Sequence, residues 1–165
     1  MQKIALVVAA EKFRDEEYQI PKEIFQKNNF EVVTVSSKIG EIVGKLGLKA
    51  QAQKLISEIN PLDFAAIVFV GGPGSSEYFK NPVAHQLAKQ AKVLGAICAA
   101  PEILAEAGIL KGKKATIFPS PSGIESLKKG GAIYTQKNVE EDGNIITADG
   151  PASAQDFALK IIDNI

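Results

Sequence analysis

The chain has 165 residues, 45% of them apolar, enough for one domain with a full core and too few for two comfortable ones. Its nineteen basic and nineteen acidic residues cancel, so nothing in the charge points to nucleic acid or an anionic membrane as a partner. A single cysteine excludes an internal disulfide framework and fits a reducing compartment.

Lys3 followed by Ile4-Ala5-Leu6-Val7-Val8-Ala9-Ala10 imitates a signal peptide, but the apolar run is minimal and Glu11-Lys12-Phe13-Arg14-Asp15-Glu16 follows at once. A first buried strand over Ile4 to Ala9 explains it better, and no run is long enough to cross a bilayer, so a soluble, cytoplasmic protein is expected. After a charged loop, Ile20, Ile24 and Phe25 mark a helix stopped by Asn28-Asn29, and the β-branched Phe30 to Val35 is the second strand. Glycines at 40, 44 and 47 between short apolar pairs predict a small hairpin or arm over Ser36 to Ala52. Gln53 to Ile59 predicts a short helix ended by Asn60-Pro61. Phe64 to Val70 is apolar throughout, as an inner parallel strand should be. Asn81 as cap and Pro82 at the first helical position open a helix through Ala91.

A strand from Val93 and a helix from Pro101 to Ala107 flank Cys98, and Gly108 ends that helix. Ala115 to Phe118 predicts a strand and Ser122 to Lys129 a short helix. A meander of Ala132 to Thr135, Asn138 to Glu141 and Asn144 to Thr147 follows, turning at Asp142-Gly143, before a last helix opened by Pro151 with a Phe157, Ile161, Ile162 stripe. Strands alternating with helices give an α/β, doubly wound, mostly parallel sheet with helices on both faces. Ligands in such sheets sit outside the carboxyl ends of the strands, where the segments 10–18, 71–79 and 98–101 converge.

A strand that becomes a helix over two small residues must turn sharply, which places Cys98 at a nucleophile elbow with the next N–H groups aimed at its target. The positive end of the following helix favours thiolate, predicting an acidified thiol. A free cysteine that merely fills the core fits the same context. Gly71-Gly72-Pro73-Gly74-Ser75-Ser76 lacks the Lys-Ser/Thr ending of a phosphate loop and the third glycine of a dinucleotide fingerprint. It serves better as half of an oxyanion hole, the Gly72 N–H beside that of Ala99, or as a plain tight turn. Asp15-Glu16-Glu17 suits a helix start, yet one of these carboxyls can reach Cys98 and, protonated, donate a hydrogen bond to its sulfur. His85, the only histidine, lies on the right edge, and an exposed helix position explains it equally. One Cys, one His and no ligand pair at helical spacing leave metal binding without support.

Glu17 after strand one, Val70-Gly71-Gly72 after the central strand and Ala96-Ile97-Cys98-Ala99-Ala100-Pro101 at the elbow closely resemble the ThiJ/PfpI superfamily, which includes the Parkinsonism-associated deglycase and the PfpI intracellular proteases. The resemblance spans residues 1–165, including Phe13 to Tyr18 and Asp149-Gly150-Pro151. It implies one domain with a flavodoxin-like, class I glutamine amidotransferase-like fold, assembled as a homodimer or larger. It implies Cys98 as nucleophile, Glu17 as its protonated partner, Gly72 and Ala99 as oxyanion donors, a pocket near Gly71, Phe118 and Pro119, and no cofactor. Proteases and glyoxalases of the superfamily commonly carry histidine directly after the cysteine; Ala99 stands there, which disfavours a peptidase. Phe118 stands where the deglycase branch has another histidine and makes the pocket more apolar. The expected function is chemistry on small reactive carbonyl compounds through the Cys98 thiolate. The alternatives are a redox-sensing or chaperone-like stress protein with an oxidisable cysteine, and an intracellular cysteine peptidase.

Overall fold

Consecutive apolar residues at Ile4 to Val7 and Ala66 to Phe69 leave no polar face, so both strands are buried on both sides at the centre of the sheet. The computed structural model describes residues 1–165. Its first half runs β1 (Lys3–Val7), β2 (Glu11–Phe13), α1 (Asp15–Lys27), β3 (Glu31–Ser36), β4 (Gly40–Gly44), β5 (Lys49–Ala52), β6 (Lys54–Leu55) and β7 (Ala66–Phe69). The second half runs α2 (Pro82–Gln90), β8 (Leu94–Ile97), α3 (Pro101–Glu106), β9 (Lys114–Ala115), α4 (Pro121–Lys129), β10 (Ile133–Tyr134), β11 (Val139–Asp142), β12 (Ile145–Ala148) and α5 (Ala154–Asp163).

Seven strands form the main sheet in the order β11-β12-β8-β7-β1-β3-β6, all parallel except β11, which returns antiparallel to β12. Helices α1 and α5 pack together against one side, α2 and α3 against the other, as expected for a flavodoxin-like sheet. Gly95 in β8 lets α5 approach, since a Cβ there would lie 2.7 Å from Ile161 and 2.9 Å from Phe157. No helix is long and apolar enough to cross a membrane.

Several elements depart from the sequence expectation. The stretch expected to be a helix over 53–59 is the edge strand β6 and a single 3₁₀ turn, Ile56–Glu58. The Gln53 N–H donates to the Thr34 carbonyl at 2.8 Å and its side-chain oxygen accepts from the Thr34 N–H at 2.8 Å. That pairing captures the segment as strand, and it is too short to nucleate a helix before Asn60-Pro61. The predicted charged loop after β1 holds β2, which joins the β4–β5 arm in a separate three-stranded sheet.

The strand expected over 115–118 stops at Ala115, because the Thr116 N–H turns to the Thr147 hydroxyl (2.9 Å) and the Phe118 N–H to the Cys98 carbonyl (2.9 Å). Its partner β10 pairs parallel to β9 rather than joining a meander with β11 and β12. The hairpin turns at Gly143-Asn144, one residue later than expected. Asp142 is held in β11 by accepting the Lys114 N–H at 2.8 Å, and the Asn144 amide donates to the Ala91 and Lys92 carbonyls. Pro151 opens a 3₁₀ turn, Pro151–Ser153, from which α5 continues.

Candidate active site

The strands β1, β7, β8 and β12 all end on one edge, and the chain turns most sharply there after β8. Cys98 has φ +63°, a left-handed conformation that a non-glycine residue rarely adopts, followed at once by Ala99, Ala100 and Pro101 at the start of α3. Backbone bonds fix the bend. The Cys98 N–H donates to the Ala148 carbonyl (2.9 Å), and the Cys98 carbonyl accepts from Phe118. The elbow read from the sequence is present, with its half-buried free thiol at the apex.

Glu17 lies in the first turn of α1 and is fully buried. Pro21, four residues on, has no N–H for the Glu17 carbonyl, so the helix's own bonding is interrupted where the side chain turns inward. Its carboxyl faces Cys98 and the Gly71 N–H, yet neither oxygen has a hydrogen bond of good geometry. Burial therefore dominates and pushes Glu17 up to about 8, against smaller lowering by Cys98 and Arg14. At neutral pH this carboxyl holds its proton.

Burial, then the charge of an ionised Glu17 and its hydrogen bond, push Cys98 up to about 12, while the N–H groups of Gly72 and Ala99 pull it down. The acidified thiol expected from the following helix is therefore not what the site favours: burial and an ionised Glu17 raise Cys98, and α3, only six residues long, does not overcome them. Ionising either group disfavours ionising the other, so the two titrate as a coupled pair. The N–H groups of Gly72 and Ala99 favour a charge on sulfur, and that of Gly71 a charge on Glu17.

Gly71 is where the pair meets. A Cβ built there would lie 2.4 Å from the Ile97 carbonyl oxygen, 2.6 Å from Glu17 Oε1 and 2.7 Å from Cys98 Cβ. Gly72 has φ +99°, and its Cβ would lie 2.4 Å from the Arg14 nitrogen, so the loop is pressed against the start of α1. Gly71→Ala is expected to lower stability by about 1–3 kcal/mol through overpacking and to slow alkylation of Cys98 by displacing Glu17. Urea midpoints and iodoacetamide rates measured side by side check both effects.

Cys98, Ala99 and Gly72 open on a cavity of about 350 Å³, with Phe118, 47% exposed, on its wall. Gly71 and Glu17 lie behind the thiol rather than in the cavity, and Pro119 lines a separate cavity with Thr116, Ile124 and Asp149. His85 is not in the cavity wall; its Nε2 pairs with the Phe79 carbonyl at 2.7 Å. No group of three or more metal-ligating side chains is present. Sequence reasoning gave no role to Arg14, Lys45, Glu102, Ser120 or Ser122, which also line the cavity. Arg14 adjoins Glu17 in sequence, whereas Lys45 on the arm and the 120–122 segment come close only through tertiary packing.

A family model described as DJ-1/PfpI family matches residues 2–164. An uncharacterized protein of Methanocaldococcus jannaschii is 46% identical over 99% of this chain and 82% of its own length. A protein of Pyrococcus abyssi named a deglycase is 31% identical over 88% of this chain and 89% of its own. The crystal structure of a ThiJ/PfpI domain protein from Brachyspira murdochii superposes with a TM-score of 0.93 at 32% identity, covering 98% of this chain and 95% of that one. Schizosaccharomyces pombe DJ-1 superposes with a TM-score of 0.85 at 25% identity, covering 99% and 91%.

Proposed function

The chain belongs to the DJ-1/PfpI family, and on that premise we propose that it is a cysteine-dependent, cofactor-free enzyme acting on small reactive carbonyl compounds, glyoxalase- or deglycase-like. One observation carries the reading: a fully buried carboxyl, protonated near neutral pH, faces the only thiol of the chain at a left-handed turn. The name of the Pyrococcus abyssi relative supports the same direction.

In this reading the Cys98 thiolate attacks the aldehyde carbon of an α-oxoaldehyde. A C–S bond forms, the carbonyl electron pair moves to oxygen, and the N–H groups of Gly72 and Ala99 hold that oxyanion. Glu17 gives it a proton, completing a hemithioacetal. Glu17, now a carboxylate, takes the proton from the same carbon and returns it at the neighbouring carbonyl carbon, while the hydroxyl proton passes to the neighbouring oxygen, leaving a thioester. Water then releases the hydroxy acid and restores the thiol. On an already glycated amine, a carbinolamine, the C–S bond would form as the C–N bond breaks, with the electron pair leaving on nitrogen and Glu17 supplying its proton.

Peptide hydrolysis asks for more, because a poor amine leaving group needs both a base and an acid, and His85 is engaged elsewhere. The same reading places the chain in the cytoplasm, where a lone thiol stays reduced, as a homodimer or larger assembly with neither nucleic acid nor membrane as partner.

With methylglyoxal, product is expected to accumulate well beyond one equivalent per chain, slowly, with no peptide hydrolysis and with His85→Ala within about twofold of wild type. Product that stops at one equivalent would favour the alternative, a stress protein whose lone thiol is modified stoichiometrically. Loss of turnover in His85→Ala would return the peptidase reading.

A further inference from the structure

Two cations line the Cys98 cavity that the carbonyl chemistry above does not use, Arg14 and Lys45. Both are held from behind. The Arg14 N–H donates to the Gly71 carbonyl at 3.0 Å, and the Lys45 N–H to the Phe13 carbonyl at 2.8 Å. The turn that carries Lys45 is pinned by Asp15, whose carboxylate accepts the N–H groups of Leu46 (3.0 Å) and Leu48 (2.8 Å). The segment that places Glu17 behind the thiol therefore also places two positive side chains in front of it.

Their charge is only partly consumed. Arg14 Nε donates to Glu16 at 2.7 Å and Nη2 to the same carboxylate at 3.4 Å, which uses one edge of the guanidinium and leaves Nη1 free. Lys45 has no ion pair. On the same wall Glu102, fixed by the Ser126 hydroxyl at 2.8 Å, supplies one negative charge. A neutral dicarbonyl would leave both cations unused. A dianionic phosphate would meet Glu102, whereas a single carboxylate needs only the free Nη1 edge of Arg14 and the unpaired Lys45 ammonium.

Resting on the carbonyl reading of Cys98, we propose that this cavity selects carbonyl compounds bearing one carboxylate, which Arg14 and Lys45 hold while Cys98 takes the neighbouring carbon. Small oxo acids and carboxylate-bearing α-oxoaldehydes are the class that fits.

The test uses two alkylating agents of nearly equal size, iodoacetate and iodoacetamide. In each case the Cys98 sulfur forms a bond to the methylene carbon and iodide leaves with the electron pair. The ratio of the two rates cancels any change in the sulfur's own reactivity. Wild type is expected to react several-fold faster with iodoacetate. Arg14→Gln and Lys45→Gln should each lower the iodoacetate-to-iodoacetamide ratio about tenfold, and added salt should lower it in wild type. A wild-type ratio below one, or a ratio unchanged in both variants, overturns the selectivity while leaving Cys98 a nucleophile. If neither reagent labels the folded protein while both label it in urea, the carbonyl reading itself falls and the selectivity with it.

Discussion

Replacing Glu17 with glutamine is expected to raise stability by about 3 kcal/mol at pH 7 while lowering methylglyoxal turnover about a hundredfold or more. The gain follows from the direction of the shift. Burial raises Glu17 from its ordinary value of 4.5 to about 8, so between those values the folded chain keeps a proton that the unfolded chain has released. Stability of the wild type is then greatest below the unfolded value and falls as pH rises through the folded one. The amide has no such proton, so the two proteins should match near pH 4 and diverge steadily as pH rises to 7. For a chain of 165 residues the gap at pH 7 corresponds to roughly 6–12 °C in melting temperature. Thermal melts across that range check it. Equal melts at every pH, or a loss in the variant, would mean that burial does not raise the Glu17 carboxyl. The activity falls because the amide still donates a hydrogen bond but cannot pass a proton to the oxyanion.

Cys98→Ser is expected to remove turnover entirely, by at least about a thousandfold, while shifting the melting temperature by little. A hydroxyl is a far weaker acid than a thiol, and nothing at the elbow can deprotonate it. Glu17 already carries its proton near neutral pH, and His85 is bonded to the Phe79 carbonyl. Serine is close to cysteine in size, so the left-handed turn at φ +63° is retained at similar strain. Methylglyoxal consumption and melting curves on the same preparations separate loss of the nucleophile from loss of the fold. Equal consumption by both proteins would leave a sensing or binding role as the better account.

The elbow was legible in the sequence because its geometry is dictated locally: an apolar strand, two small residues and a proline that starts a helix leave Cys98 no alternative to the turn. The glycine pair was legible for the same reason, although the Cβ clashes that require it depend on α1. Glu17 was reachable through the family's motif; its neighbours Asp15 and Glu16 share the pattern, and only the fold sends the third carboxyl inward and the first to the arm. Errors gathered where pairing is non-local. The local pattern at Gln53 favours helix, but its bond to Thr34 lies across the sheet. The β-branched run at Thr116 to Phe118 favours strand, but its polar partners, Thr147 and Cys98, come from distant segments. Lys45 carries no local signal at all; it reaches the cavity because Asp15 pins a turn some thirty residues away.

The proposed chemistry requires that the first charge of the Cys98–Glu17 pair reside on sulfur. Thiolate absorbance near 240 nm, recorded from pH 5 to 12 as the difference between wild type and Cys98→Ser, reads that charge directly. One thiolate is expected to appear in a step no higher than about pH 8, where the pair loses its first proton, and to be complete well before the second near 12. No thiolate until pH approaches 12 would place the first charge on Glu17, leave Cys98 a thiol at physiological pH, and contradict the account.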